Sequence, residues 1–292
     1  VTAGFLVVDK PGGMTSNTVV GRVRRATGIK KVGHAGTLDP LATGAMVIAV
    51  GPVTRLIRFI QERPKEYLAT AQFGVSTDTL DSDGAVLERE PMEVREDELF
   101  EAAARFVGVI HQVPPMVSAL KHEGRRLYEL ARRGEVVERD ARPVEIHELE
   151  ILALGPGPYP EVEFRVVCGK GTYVRTLAAD LAAALGGYAH LTALRRTRIG
   201  SLDVETHGVK LDDLDSWQQW FLTPSRALDD LPAVTVGPET AEGVSHGMRF
   251  VGGEMRDAPE GVALRVLDEG GALLAVYRRE GDQSIPEVVL AS

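Results

Sequence analysis

The chain has 292 residues, 44% of them hydrophobic and 26% charged, enough to build one large folded domain and a smaller one, which excludes an intrinsically disordered protein. Its single cysteine, Cys168, excludes an internal disulfide and a cysteine-built zinc site, and fits a reducing compartment. The net charge of −9 argues against a nucleic-acid partner only on average: residues 1–77 carry about +6, 121–142 about +2 and 164–202 about +5, against acidic stretches at 78–105, 143–163 and 203–292. Three basic segments gathered on one face would provide the footprint for a phosphate backbone. The start, Val1 to Gly13, has a short apolar run interrupted by Asp9, and no later segment approaches a membrane span, so the expectation is a cytoplasmic protein without membrane attachment.

In chain order, Phe5 to Val8 reads as a buried strand leading into the turn Lys10-Pro11-Gly12-Gly13. Ser16 is expected to cap a helix that turns Val19, Val20 and Val23 inward and Arg22, Arg24 and Arg25 outward before stopping at Gly28. Met46 to Val50 is a continuous apolar run, the mark of a strand covered on both faces. Tyr67 to Phe73 alternates, with Tyr67, Ala69, Ala71 and Phe73 on one side. A helix over 96–107 has an acidic first turn, and Pro114-Pro115 breaks the chain beyond it. The charged insert 121–142, with a helix near Leu127 to Arg133, reads either as a basic arm or as solvated surface. Val144 to Leu154 and Val162 to Cys168 are expected strands, followed by a helix after Thr172 with the stripe Val174, Leu177, Ala178, Leu181 and Leu185. Strands and helices in this mixed order point to an α+β fold. A boundary in the acidic, proline-bearing stretch 223–232 divides the chain into domains at 1–230 and 231–292, the second a small β unit.

The run His34-Ala35-Gly36-Thr37-Leu38-Asp39-Pro40-Leu41-Ala42-Thr43-Gly44 places one carboxylate in a constrained loop. Pro40 pushes Asp39 out of the helical region, and small neighbours leave room for a planar ligand. A tight turn whose Asp bonds its own backbone is the competing reading. Other motifs carry less. Gly243-Val244-Ser245-His246-Gly247 has the letters of a nucleophile elbow without its strand and helix, and Thr79 to Glu90 has calcium-loop spacing but reads as a hairpin turning at Asp83-Gly84. Gly169-Lys170-Gly171-Thr172 lacks the spacing of a phosphate loop, and the seven histidines show no metal-ligand pairing, so no metal is expected.

The Asp39 run resembles the signature of the TruB family, the bacterial tRNA pseudouridine-55 synthases. Five further segments match in order: Asp9 to Gly13, Lys65-Glu66-Tyr67, Thr77 to Gly84, Pro114 to Lys121 and Lys170 to Leu177. The resemblance implies a mixed, largely antiparallel sheet flanked by helices, of pseudouridine synthase type, with a small C-terminal domain similar to the RNA-binding PUA type. It implies conversion of uridine 55 in the tRNA T loop to pseudouridine by base flipping, with no cofactor, no obligatory protein partner and a monomeric enzyme gripping the T stem-loop. By position, Asp39 matches the nucleophile, Arg175 its ion-pair partner and Tyr67 the ring against the target base. His34 matches the residue filling the gap in the loop, Tyr173 and Leu194 match pocket walls, and Lys10 is expected to bind substrate. The chemistry agrees: a carboxylate stabilises or traps the cation formed when a glycosidic bond breaks, and Arg175 opposes the desolvation that would protonate it. Two rival readings are a tRNA-folding factor in which chemistry is incidental, and a synthase guided by a separate RNA with protein partners.

Overall fold

The computed structural model describes residues 3–118, 121, 122, 125, 126, 135 and 137–290. The helix expected near 127–133 lies outside the described residues. Within the insert, the described backbone pairs Lys121–His122 with Arg125–Arg126.

Strands Gly4–Lys10 and Thr43–Val50 are buried along almost their whole length and pair antiparallel, Leu6 opposite Ile48. Both read as unbroken apolar runs because each face meets a core. Leu6, Val8, Met46 and Ile48 pack with Val19, Val20 and Val23 on one side, while Phe5, Val7, Val47 and Ala49 pack with Phe59 and Ile60 on the other. These two strands belong to a ten-stranded mixed sheet. Its order is Gly208–Lys210, Gly4–Lys10, Thr43–Val50, Ala189–Ile199, Lys65–Phe73, Glu161–Cys168, Arg142–Leu154, Gly108–Gln112, with two short strands, Val32–His34 and Leu202–Asp203, paired at its side. Among the described residues of this sheet, only the Gly4–Lys10/Gly208–Lys210 and Thr43–Val50/Ala189–Ile199 pairings are parallel. The fold is therefore α+β with a mixed, largely antiparallel sheet.

Ala189–Ile199 lies at the centre of this sheet, although its sequence reads poorly as a strand. Arg195, Arg196 and Arg198 interrupt its apolar pattern, and register shifts fall between Leu191 and Ala193 and between Arg196 and Arg198. Each shift flips the side-chain alternation, so period-two reading loses the strand. The register sets Arg196 opposite Tyr67 on one neighbour and opposite Gly44 on the other.

The helix Ser16–Thr27 is capped by Thr15, whose hydroxyl accepts from the Thr18 amide at 3.2 Å, and not by Ser16 as expected. Ser16 instead turns inward, where it serves the Asp39 loop. Helix Val174–Ala184 buries Val174, Leu177, Ala178 and Leu181 against the first core, as its stripe implies. Strands Val75–Thr77 and Val86–Arg89 form a hairpin across Asp83-Gly84.

The C-terminal sheet orders Ala233–Thr235, Ala263–Leu267, Leu273–Glu280, Gln283–Val289 and Phe250–Val251. It has its own core around Val236, Val244, Val266 and Tyr277, yet Leu273, Val276 and Val288 join the second core of the large sheet. Arg58 also pairs with Glu287 at 2.8 Å, and Arg265 donates to the carbonyls of Ser225 and Asp229. The apolar contact and these bonds fasten the small unit to the large one. Ser245 ends the helix Pro238–Ser245, a setting without the strand that a nucleophile elbow requires.

Gly44 has φ of +97°, and a Cβ there would stand 2.1 Å from the Arg196 carbonyl oxygen. Both backbone strain and backbone collision oppose any side chain. Gly44→Ala is expected to destabilise the protein by more than about 2 kcal/mol in urea unfolding, and a loss below about 0.5 kcal/mol would contradict the close approach.

Candidate active site

Asp39 stands in the loop between Val32–His34 and Thr43–Val50, and three buried polar side chains hold that loop from beneath. Arg196, 2% exposed, donates from Nε to the Ala45 carbonyl at 2.7 Å and from Nη2 to the Gly36 carbonyl at 3.3 Å. Ser16 donates to the Leu38 carbonyl at 3.0 Å and accepts from the Leu38 amide at 2.9 Å. Lys10, wholly buried, donates from Nζ to the carbonyls of Pro11, Pro40 and Ala42 at 3.0, 3.2 and 2.5 Å. A loop's backbone carbonyls demand partners when buried, and here side chains from three other elements supply them. The result is a carboxylate whose backbone has little freedom.

Arg175, in the first turn of Val174–Ala184, meets that carboxylate. Its Nη2 lies 2.9 Å from Asp39 Oδ2, and its Nη1 lies 3.4 Å from Asp81 Oδ2. Nη1 also donates to the Thr79 carbonyl and Nη2 to the Val117 carbonyl, each at 2.8 Å. The Arg175 side chain is 4% exposed and that of Asp81 6%, whereas Asp39 keeps 36%. One cation thus sits between two carboxylates, and only Asp39 opens to the cavity. Asp81 is fixed in turn by Thr79 Oγ1, which donates to its Oδ1 at 2.5 Å, and by the Asp83 amide at 3.2 Å. The loop that carries it is too tight for a side chain at Gly84, whose Cβ would stand 2.3 Å from Thr79 Oγ1.

Asp39 opens into a cavity of about 300 Å³ lined by loop residues 35–39, Lys65, Tyr67, Ser118, residues 169–175, Leu194 and Arg196. That volume is at the lower end of small-ligand sites. Tyr67, Tyr173 and Leu194, all expected from sequence, form its walls with Asp39 and Arg175. Two expected residues stand elsewhere. Lys10 lies under the loop with its ammonium spent on loop carbonyls, so its charge acts on Asp39 through space and not on a ligand by contact. His34 is outside the lining, on the short strand beside Thr43–Val50, where its Nδ1 accepts from the Gly36 amide at 3.3 Å.

Electrostatics within the site follow from burial. Desolvation raises the pKa of Asp39 above its ordinary value; Arg175 pulls it down, and the neighbouring Asp81 charge pushes it further up. The guanidinium is therefore a counterweight and does not win outright, contrary to the simple picture of an acid held low by its partner. Lys10 and Lys65 are both lowered to about 8, chiefly by burial. Burial also raises the Tyr67 and Tyr173 phenols, which keeps both rings neutral hydrogen-bonding groups near neutral pH.

Asp81, Arg196, Ser16 and Lys65 are site residues that sequence reasoning did not single out. Asp81 and Lys65 lie within matching segments and were legible there as letters only. Arg196 lies on the strand whose pattern its own charge obscures.

Residues 24–174 match the family described as TruB family pseudouridylate synthase, N-terminal domain, and residues 175–231 match the tRNA pseudouridylate synthase B C-terminal domain. A tRNA pseudouridine synthase B of Burkholderia pseudomallei is 44% identical, the match covering 97% of this chain and 95% of that protein. The protein of the same name from Symbiobacterium thermophilum is 48% identical over 84% of this chain and 82% of its own length. Among solved structures, a chain of a Cbf5-Nop10-Gar1 complex superposes with a TM-score of 0.76 at 26% identity, covering 98% of this chain and 84% of that one. An archaeal box H/ACA Nop10-Cbf5 complex shares the fold, with a TM-score of 0.71 at 23% identity. From the two profile matches and the near-full-length relatives, the chain belongs to the TruB family of pseudouridylate synthases and is an isomerase that converts uridine in RNA to pseudouridine.

Proposed function

We propose that the chain converts uridine 55 in the T loop of tRNA to pseudouridine, with Asp39 as the nucleophilic carboxylate. The observation that carries this reading is one carboxylate, ion-paired to a buried arginine, at the base of a cavity walled by Tyr67, Tyr173 and Leu194. The relatives' name specifies tRNA, and the match spans nearly their whole length.

The reaction breaks the bond from uracil N1 to the sugar, turns the base, and joins uracil C5 to the same sugar carbon; C5 loses its proton to solvent and the freed N1 takes one up. Bond breaking develops positive character on the sugar, which the Asp39 carboxylate stabilises or traps. No water is activated, so a single carboxylate facing the cavity suffices. Asp81, on the far side of Arg175, completes the charge pairing without reaching the base. Chemistry on a stacked base requires its extrusion, and unstacking costs about a few kcal/mol, offset in part by packing on an aromatic ring. Tyr67 supplies that ring. Exposed Arg24, Arg25, Lys30 and Lys31 lie on and just beyond helix Ser16–Thr27, whose Ser16 touches the Asp39 loop, and Lys170 lies at the cavity rim. These exposed cations suit contacts to a phosphate backbone, with Lys170 the one at the cavity itself.

The chain acts on this reading as a monomer without a guide RNA or protein partner. The likeness to relatives named tRNA pseudouridine synthase B, at 41–48% identity, is stronger than the 26% likeness to the Cbf5 chain solved in a complex, and this reading follows the former. A purified chain that modifies a tRNA transcript only when other proteins are added would contradict it.

Asp39→Asn removes the nucleophile and keeps its shape. It is expected to slow tritium release from C5-labelled uridine in a T-loop transcript by roughly 10⁴-fold or more, with RNA affinity changed by less than about threefold. Turnover within about tenfold of wild type would refute the assignment. Asp39 acts ionised and its pKa lies above the ordinary 3.8, so the single-turnover rate is expected to fall with decreasing pH at a midpoint higher than 3.8. A rate flat down to that value, with the protein still folded, would speak against an ionised Asp39.

A further inference from the structure

Helix Val174–Ala184 starts poorly by local rules. Its cap residue is Tyr173, whose side chain makes no capping hydrogen bond. One of the four amides left free at the helix start, that of Tyr173, is met from a distant strand. Gln112 ends Gly108–Gln112 at the edge of the large sheet and is 1% exposed. Its Oε1 accepts from the Tyr173 amide at 3.0 Å, and its Nε2 donates to the Tyr173 carbonyl at 3.3 Å. That carbonyl already accepts the first helical bond, from the Leu177 amide at 3.0 Å. A carboxamide engaging both polar groups of one residue imitates a strand partner, and it fixes position and twist where the helix has no cap of its own.

We propose that Gln112 is a positioning residue for the isomerisation, setting the first helical turn so that Arg175 reaches Asp39; this rests on the Asp39 and Arg175 roles proposed above. Arg175 is two residues beyond the clamped peptide. Its guanidinium must satisfy the Thr79 and Val117 carbonyls and two carboxylates together, a geometry with no slack. Val117 follows Gln112 by five residues, across the Pro114-Pro115 break. One segment therefore acts on Arg175 twice, through Gln112 on the Tyr173 backbone two residues before it and through the Val117 carbonyl at its tip. No other common side chain of this length meets Tyr173 in the same way. Glutamate, ionised, lacks the donor, and methionine lacks both functions. Displacement of a catalytic geometry by about 1 Å costs on the order of 100-fold in rate.

The test uses the full chain and a tRNA transcript labelled at uracil C5. Gln112→Met is expected to lower the single-turnover rate at saturating RNA by about 100-fold and to change RNA affinity by less than about threefold. It is also expected to move the acid limb of the pH–rate profile upward, because Asp39 loses part of the charge that holds it ionised. A purely structural role would leave that limb where it is in wild type. If Gln112→Met fails to fold, Gln112→Asn serves, neutral like the wild type but one methylene short of Tyr173; an intermediate rate loss with the same upward shift is expected. A wild-type rate, or a reduced rate with an unmoved acid limb, overturns the proposal for Gln112 alone. Wild-type protein inactive on the transcript overturns the underlying reading as well.

Discussion

The architecture around the cavity follows from one buried guanidinium that must serve two carboxylates. Arg175 is almost fully enclosed, so its charge requires partners, and the fold brings them from three separate places: Asp39 from one loop, Asp81 with the Thr79 carbonyl from another, and the Val117 carbonyl from a third. Each loop is then anchored by further polar side chains. Such an arrangement contributes little net stability against apolar packing, because desolvation offsets much of the attraction. What it provides is placement. Two acids flank the arginine, and the one left open to the cavity is the one in the proline-constrained loop.

The same logic explains why polar residues lie under an otherwise apolar site. Lys10, Ser16 and Arg196 each spend their donors on carbonyls of the Asp39 loop, and Gln112 spends its amide on Tyr173. None of these bonds contributes more than about 1–3 kcal/mol, yet losing any one strands a buried group and releases a loop. Positive charge is concentrated here by the same residues. Burial lowers Lys10 and Lys65 to about 8, so near neutral pH both remain mostly protonated beside Asp39 and Arg196. The acidic balance of the whole chain is carried elsewhere, notably by residues 203–292.

Much of this was readable in the letters where one residue type admits one physical use. The apolar runs at Phe5 to Val8 and Met46 to Val50, the stripe of Val174–Ala184 and the Asp39-Pro40 constraint all correspond to elements in the structure. The failures come from residues whose partner is remote in sequence. Ser16 looks like a cap because caps are local, but its hydroxyl is used by Leu38, and the adjacent Thr15 caps instead. Lys10, beside the Pro11-Gly12-Gly13 turn, is expected to meet substrate, yet the loop above covers it and takes its donors. The strand Ala189–Ile199 hides behind three arginines and two register shifts, and its burial depends on Tyr67 and Gly44 far away. Asp81 reads as a turn residue because the cation it pairs with is ninety-four positions later. Long-range polar pairing has no period, so pattern reading cannot see it.

The most direct test of an ionised Asp39 balanced by Arg175 is a carbon-13 NMR titration of the Asp39 carboxyl in wild type and in Arg175→Met. Burial and the Asp81 charge both push this pKa upward, with Arg175 the main opposing force. Removing the guanidinium is therefore predicted to raise the Asp39 midpoint above its wild-type value. An unchanged or lowered midpoint in a folded variant would contradict the account.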